Sequence, residues 1–144
     1  MTTQLTNTKD IQTYVFGGKA VFTLVSKKTG NRFTFRVRKS DDGKVYFVDL
    51  LVGPQNTDDF EYVGHVKAVN RDHFRAYNAS HGKIDTILTW FFERIHRAPE
   101  ELSQLEFWTS GNCSRCGRVL TVPESIAIGM GPTCLAKTKQ NLGI

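Results

Sequence analysis

The sequence has few cysteines and no long apolar run. Its three cysteines are an odd number, which argues against a disulfide framework and favours metal binding or free thiols. Apolar residues never run together for the length of a membrane span, and the N-terminus lacks the positive flank and apolar stretch of a secretory signal. Repeats and low-complexity runs are also absent. We therefore expect a folded cytoplasmic protein with no membrane partner.

Charge is distributed unevenly along the chain. The net charge is +5 over 144 residues, and the pI of about 9.2 suits a polyanionic partner without requiring one. Seven basic residues and no acid lie between Lys19 and Lys39. The segment from Asp41 to Glu61 reverses this sign, with six acids against Lys44 alone.

Alternating apolar residues predict an α+β fold built on an antiparallel β-meander of about four strands. The strands are predicted at residues 20–27, 32–39, 45–52 and 60–67, joined by turns or short loops. In the second strand, the apolar side chains should face the core while Arg32, Arg36 and Arg38 share the opposite face. The sequence therefore predicts a sheet with one basic face.

A change of period after the sheet predicts one amphipathic helix. From Ile84 to Ile95, apolar residues recur at helical spacing, with Pro99 following as a stop. This helix should pack across one face of the sheet. We expect a flexible arm over residues 1–10, a basic α+β domain over 11–110 and a metal-binding module over 111–144.

The cysteine spacing predicts a zinc site with a treble-clef-like arrangement. Cys113 and Cys116 form a Cys-x2-Cys-Gly turn that can hold one metal, and Gly117 can adopt the positive φ needed to leave it. Cys134 should lie in the first turn of a helix that begins at Pro132, where the helix N-terminus stabilises a thiolate.

Three cysteines leave the fourth position of a structural zinc site to another ligand. His96 is the first candidate, because it lies at the end of the helix that leads into the module. His73, His81 and Glu124 are alternatives, as is a water molecule. His96 could instead simply cap its own helix terminus.

The segment between Cys113 and Cys134 is similar to a small uncharacterised domain found in many phage and plasmid proteins. The similarity lies in the motifs CSRCGR, LTVPES and GMGPTC. The preceding VFTLVSKKTGNRFTFRVRKS also resembles the N-terminal part of phage proteins that carry this tail. The resemblance implies a mobile-element origin, and the host-cell cytoplasm if the protein is phage-encoded, but no activity. Relatives often have a histidine shortly before the first cysteine, where this chain has Thr109, so the resemblance does not supply the fourth ligand.

The basic residues favour a protein that binds DNA or RNA through its phosphates. Exposed aromatic side chains such as Tyr14, Tyr46 or Trp108 could stack on bases, although core packing is the more common role of such residues. The basic residues expected to contact phosphates lie in the first hairpin, the second strand and the module: Lys27, Lys28, Arg32, Arg36, Arg38, Arg115, Arg118 and Lys137.

Two other functions fit parts of the sequence. A small phage inhibitor that docks on a host defence protein would also use opposed charged segments, because charge steers association without identifying the partner. A zinc hydrolase or deaminase would need a His-x-Glu motif and a proline before the Cys-x2-Cys pair. Neither feature is present, so we expect no enzyme activity.

Overall fold

The computed structural model describes residues 2–55, 58–78 and 82–144, and its centre is one antiparallel sheet of seven strands. The spatial order of the strands is β1-β7-β2-β3-β4-β5-β6. Their bounds are β1 Gln4–Leu5, β2 Lys19–Ser26, β3 Arg32–Lys39, β4 Val45–Leu51, β5 Phe60–Lys67, β6 Asn70–Ala76 and β7 Leu105–Thr109. The helices are α1 Thr8–Val15, α2 Lys83–Arg97, α3 Pro123–Ile128 and α4 Pro132–Leu142, with a 3₁₀ helix at Pro99–Gln104.

The predicted meander is confirmed as strands β2 to β5. Alternation places Phe35 and Val37 of β3 in the core, fully buried, while Arg36 lies on the other face opposite Asp49 of β4. The sheet is wider than predicted because β6, β7 and β1 extend it at its two edges. β6 continues the meander, whereas β7 pairs with β2 across a long stretch of sequence.

The predicted amphipathic helix is α2. Its buried residues form one stripe: Ile84, Leu88, Phe91, Phe92 and Ile95. This stripe packs on one face of the sheet, where the rings of Phe22 and Phe107 stack at 4.8 Å and Phe91 lies 6.2 Å from Phe107. The described helices have neither the length nor the hydrophobicity that a membrane span requires.

The N-terminal residues differ from the flexible arm predicted over residues 1–10. Leu5 is only 5% exposed, and its strand β1 pairs with β7. The Asn7 side chain caps α1 by accepting hydrogen bonds from the backbone N–H groups of Lys9 and Asp10. The strand partner lies about a hundred residues further along the chain, so the local polar composition could not indicate it.

The sheet face opposite α2 carries polar and aromatic side chains, and we call it the open face. It includes Thr23 of β2, whose hydroxyl lies 2.7 Å from that of Thr34 on β3. Phe47 of β4 and Tyr62 of β5 lie further along, only half-buried. Neither ring belongs to the hydrophobic core.

Candidate metal centre

Local backbone geometry positions the first two cysteines in a tight turn after β7. The Cys113 N–H donates to the Arg118 carbonyl oxygen at 2.8 Å, and the Gly117 N–H donates to the Cys113 carbonyl oxygen at 2.9 Å. Gly117 leaves the turn with φ of 81°, a conformation that glycine adopts readily. This is the knuckle that the Cys-x2-Cys-Gly pattern predicted.

The third cysteine comes from the start of α4, as predicted. Pro132 is the first residue of that helix, and Cys134 lies in its first turn. The Sγ atoms of Cys113, Cys116 and Cys134 all lie within 4.8 Å of one another. Thiolates bound to one tetrahedral zinc at ~2.3 Å are about 3.8 Å apart, so a small contraction of this cluster would accommodate the ion.

Backbone N–H groups around Cys113 favour its thiolate form, which is the form that binds a metal ion. Burial acts to raise the pKa of Cys113, but the N–H groups of Cys116, Gly131 and Arg115 donate to its sulphur and lower this pKa to about 7. Burial, together with the neighbouring Cys113 and Cys116 sulphurs, raises the pKa of Cys134 to about 11. Three crowded sulphurs thus resist full ionisation unless a positive charge joins them. The cluster can hold a metal ion, and the all-thiolate set fits zinc.

Residues 105–139 match a family model described as a family of unknown function, DUF6011. The matched segment contains β7, the knuckle, α3 and most of α4. No curated protein and no solved structure matches the chain. Because β7 is a strand of the central sheet, the matched segment is physically continuous with the rest of the protein.

The structure does not bring His96 to the three thiols. Its Nδ1 lies 3.0 Å from the Phe92 carbonyl oxygen of its own helix, and its ring packs 5.7 Å from that of Phe16. Burial lowers the pKa of His96, and Arg71 adds to this effect, so the imidazole favours the neutral form. Neither His73 nor Glu124 belongs to the cluster, and His81 lies outside the described residues.

A pocket of about 270 Å³ opens beside the three thiols. Arg118, Val122, Ser125 and Thr133 are among its lining residues. Within the described ranges, no fourth histidine, cysteine or carboxylate completes the cluster. The segment between knuckle and α4 contains the short helix α3, and the treble-clef likeness stays a prediction.

Residues 111–144, which we call the cysteine segment, pack closely against the start of the sheet. The Lys19 N–H donates to the Ser114 carbonyl oxygen at 2.6 Å. Gly17 lies so close to Ser114 that a Cβ atom there would be 2.7 Å from that same oxygen. On the other side, a Cβ at Gly129 would collide with the Tyr14 ring. The module predicted over residues 111–144 is therefore held by direct contacts to the segment around α1.

The eight basic residues predicted to contact phosphates fall into separate regions. Lys27, Lys28 and Arg32 are exposed at the hairpin end of β2 and β3. Arg36 and Arg38 lie on the open face, where both donate from Nε to Asp49 Oδ2 at 2.9 and 2.7 Å. The distance from Arg32 to Arg38 along an extended strand is roughly 20 Å, so the hairpin end and the far end of β3 form different surfaces.

The remaining three predicted residues belong to the cysteine segment. Arg118 and Lys137 are exposed, and Arg118 also lines the pocket beside the thiols. Arg115 is half-buried and donates from Nη1 to the Thr138 hydroxyl at 3.2 Å. Of the aromatic residues named as possible base-stacking groups, Tyr14 and Tyr46 are buried, whereas Trp108 is half-buried on the open face, with Nε1 donating to Glu106.

Sequence reasoning missed a group of cations beside the knuckle, which we call the cationic seam. It consists of Lys39, Arg71 and Arg115, which lie near Tyr46, and of Lys19, which lies beside Gly117 of the knuckle. Of these four, only Arg115 was among the eight predicted residues. The Lys39 Nζ lies 5.9 Å from the Tyr46 ring centroid, and the positive charges of Arg71 and Arg115 both act to lower the Tyr46 pKa, although burial outweighs them and raises it.

Lys19 completes the seam on the knuckle side. Its Cδ would be 3.6 Å from a Cβ placed on Gly117. Arg71 lies on the opposite side, with Cζ 5.5 Å from the centroid of the Phe16 ring, which in turn lies 5.0 Å from Tyr46. Lys19 and Lys39 bound the basic segment noted in the sequence, but Arg71 and Arg115 come from distant segments, so no local charge pattern could have indicated the cluster.

Proposed function

We propose that the protein binds DNA or RNA through its phosphates, at the cationic seam beside the metal centre. The observation that carries this proposal is a set of four clustered cations without a carboxylate partner among the described residues: Lys19, Lys39, Arg71 and Arg115. Clustered like charges repel one another and are stabilised when an anion neutralises them.

Two of the nearby acids, Asp72 and Asp42, are engaged elsewhere, whereas the exposed Asp41 lines a pocket with Lys39. Asp72 follows Arg71 in sequence but accepts a hydrogen bond from Arg97 Nε at 2.8 Å. Asp42, in the turn after β3, accepts hydrogen bonds from the Ser40 hydroxyl and the Lys44 N–H, which hold its pKa below the usual value. With four cations and Asp41 as the one nearby acid without a partner among the described residues, the seam keeps a net positive charge that an external polyanion can neutralise.

The metal has a structural role in this proposal. Zinc held by Cys113, Cys116 and Cys134 would cross-link the knuckle to α4, and its charge would stabilise the three thiolates. The knuckle carries Arg115 and, through the Ser114 carbonyl, fixes the backbone of Lys19. Two of the four seam cations thus depend on the metal centre for their position. The proposed role is binding without catalysis, in a mobile-element protein of the host cytoplasm.

A charge-matched pair of variants tests the proposal. Binding of single-stranded DNA, single-stranded RNA and duplex DNA is measured by fluorescence anisotropy over a range of salt concentrations. Lys39→Gln with Arg71→Gln should weaken binding at low salt and reduce the slope of log affinity against log salt by about 1.4 to 1.8. The control is Lys9→Gln with Lys83→Gln, which removes the same charge from exposed lysines on α1 and α2.

The control variant should keep the wild-type salt slope. Equal losses in the two variants would mean that net charge, and not the seam, attracts the polyanion. Wild-type protein that binds none of the three nucleic acids at low salt would overturn the proposed function altogether.

A further inference from the structure

A row of aromatic rings crosses the open face on neighbouring strands. The Phe47 ring on β4 lies 6.0 Å from the Tyr62 ring on β5, and the Tyr62 ring lies 5.1 Å from that of Tyr77, which follows β6. Tyr77 is 51% exposed, whereas Phe47 and Tyr62 are half-buried. None of the three belongs to the hydrophobic core, so core packing does not explain them.

Two guanidinium groups are fixed beside this row. Arg38 Cζ lies 4.8 Å from the centroid of the Phe47 ring, and Arg36 Cζ lies 4.4 Å from that of Phe60. Both Nε atoms donate to Oδ2 of Asp49, whose side chain is only 2% exposed, whereas those of Arg36 and Arg38 are 31% and 44% exposed. The buried carboxylate thus orients two cations that still reach solvent.

The cluster of Arg36, Arg38 and Asp49 keeps a net positive charge, and Asp41 and Asp42 line a pocket beside Arg38 and Phe47 at one end of the row. One carboxylate, Asp49, faces two guanidinium groups, so one positive charge is unbalanced. Arg75 on β6 lies opposite His65 of β5 and is exposed, and it adds a further cation beside Tyr62 and Tyr77. Rings beside oriented cations are complementary to a ligand that alternates flat apolar groups with negative charges.

Single-stranded nucleic acid is such a ligand. Its unpaired bases expose flat π-faces that stack on aromatic rings and on guanidinium planes, while its backbone carries one phosphate per nucleotide. A duplex hides these faces within its own base stack. The seam and the open face also meet at the end of β3, because successive side chains Arg38 and Lys39 point to opposite sides of the sheet.

We infer that the open face binds unpaired bases of single-stranded nucleic acid, with Tyr62 and Tyr77 stacking on the bases and Arg36 and Arg38 contacting the phosphates. This inference rests on the proposed function and narrows its ligand to strands with unpaired bases. A nucleic-acid strand whose phosphates contact the cationic seam continues around the end of β3 and places its bases on the row of aromatic rings.

The test compares variants that remove a ring with variants that keep it. Tyr62→Leu and Tyr77→Leu should each weaken binding of a single-stranded oligonucleotide by about 5- to 150-fold, the range that one base–aromatic stack supports. Tyr62→Phe and Tyr77→Phe keep the rings and should bind within about threefold of the wild type. Affinity for a duplex of the same sequence should change little in all four. Folding is checked by circular dichroism, and the exposed Tyr77 is the site where substitution disturbs the fold least.

DNA and RNA strands of equal length and sequence are tested in parallel, and the stacking loss should appear for whichever strand binds more tightly. If the leucine variants bind single strands as tightly as the phenylalanine variants, the open face is not a stacking surface, although the seam can still bind phosphates. A duplex that binds more tightly than either single strand would also overturn the inference alone. Absence of any nucleic-acid binding by the wild type would overturn the inference and the proposed function together.

Discussion

Replacing Arg36 and Arg38 together with glutamine should destabilise the protein by about 3 kcal/mol. The reason is Asp49, whose carboxylate is almost completely buried and would lose both of its cations. Removing the partners of a buried charge typically costs about 3–5 kcal/mol. We expect the lower end of this range, because both guanidinium groups are partly exposed and water screens their interaction with the carboxylate.

The two single substitutions should cost less than the double one. Arg36 donates one hydrogen bond to Asp49, whereas Arg38 donates two, from Nε at 2.7 Å and from Nη2 at 3.3 Å. Each single variant leaves one guanidinium on the carboxylate, so we expect about 1 kcal/mol for Arg36→Gln and somewhat more for Arg38→Gln. The cost of the double variant should exceed the sum of the two, because both arginines interact with the same acid.

Urea denaturation at pH 7, followed by circular dichroism, measures these differences. Arg32→Gln is the matched control, since Arg32 is exposed on the same strand and should change stability by no more than about 0.5 kcal/mol. In a background that carries Asp49→Asn, the double arginine substitution should cost less than about 1 kcal/mol. A double variant as stable as the wild type, or an equal loss in the two backgrounds, would refute the buried-carboxylate argument.

Two further predictions concern the cysteine segment. Gly17→Ala should destabilise the fold by about 2 kcal/mol or more, because its Cβ would overlap the Ser114 backbone. The control Gly30→Ala should cost only about 1 kcal/mol, since Gly30 has positive φ but open space around it. Equal losses of stability in thermal melts of the two variants would contradict this prediction. Purified protein should bind one zinc per chain, with a zinc affinity that falls as the pH falls. The affinity should fall more steeply below pH of about 7, where zinc binding must also displace a proton from Cys113. A competitive chelator titration that shows the same zinc affinity from pH 6 to 8 would argue against thiolate ligation.

The meander and α2 were predictable because their signals are local. Strand β3 alternates without interruption, and its turn contains Gly30 at φ of 74°. The apolar stripe from Ile84 to Ile95 has a single period over the length of α2. The cluster of three cysteines was predictable for a similar reason, since the knuckle and the helix start each have their own short pattern.

The features that were missed depend on contacts between distant segments. Strand β1 consists of two residues whose partner is β7, and no periodicity can emerge from two residues. His96 has the right residue type and position in sequence for a metal ligand, but the register of α2 turns it toward Phe16. The cationic seam likewise exists only because the antiparallel sheet brings Lys39, at the end of β3, and Arg71, near the start of β6, to the same end of the sheet as the knuckle.

The position of β7 in the sheet has a consequence for how the chain folds. β7 lies between β1 and β2, so the N-terminal strand has no partner until residues 105–109 have been synthesised and have docked. Until then, β2 presents an unpaired edge that can recruit another chain. A fragment that ends before Leu105 should therefore aggregate through β2. In a nascent chain, this edge stays exposed until β7 has been synthesised and has paired with β2.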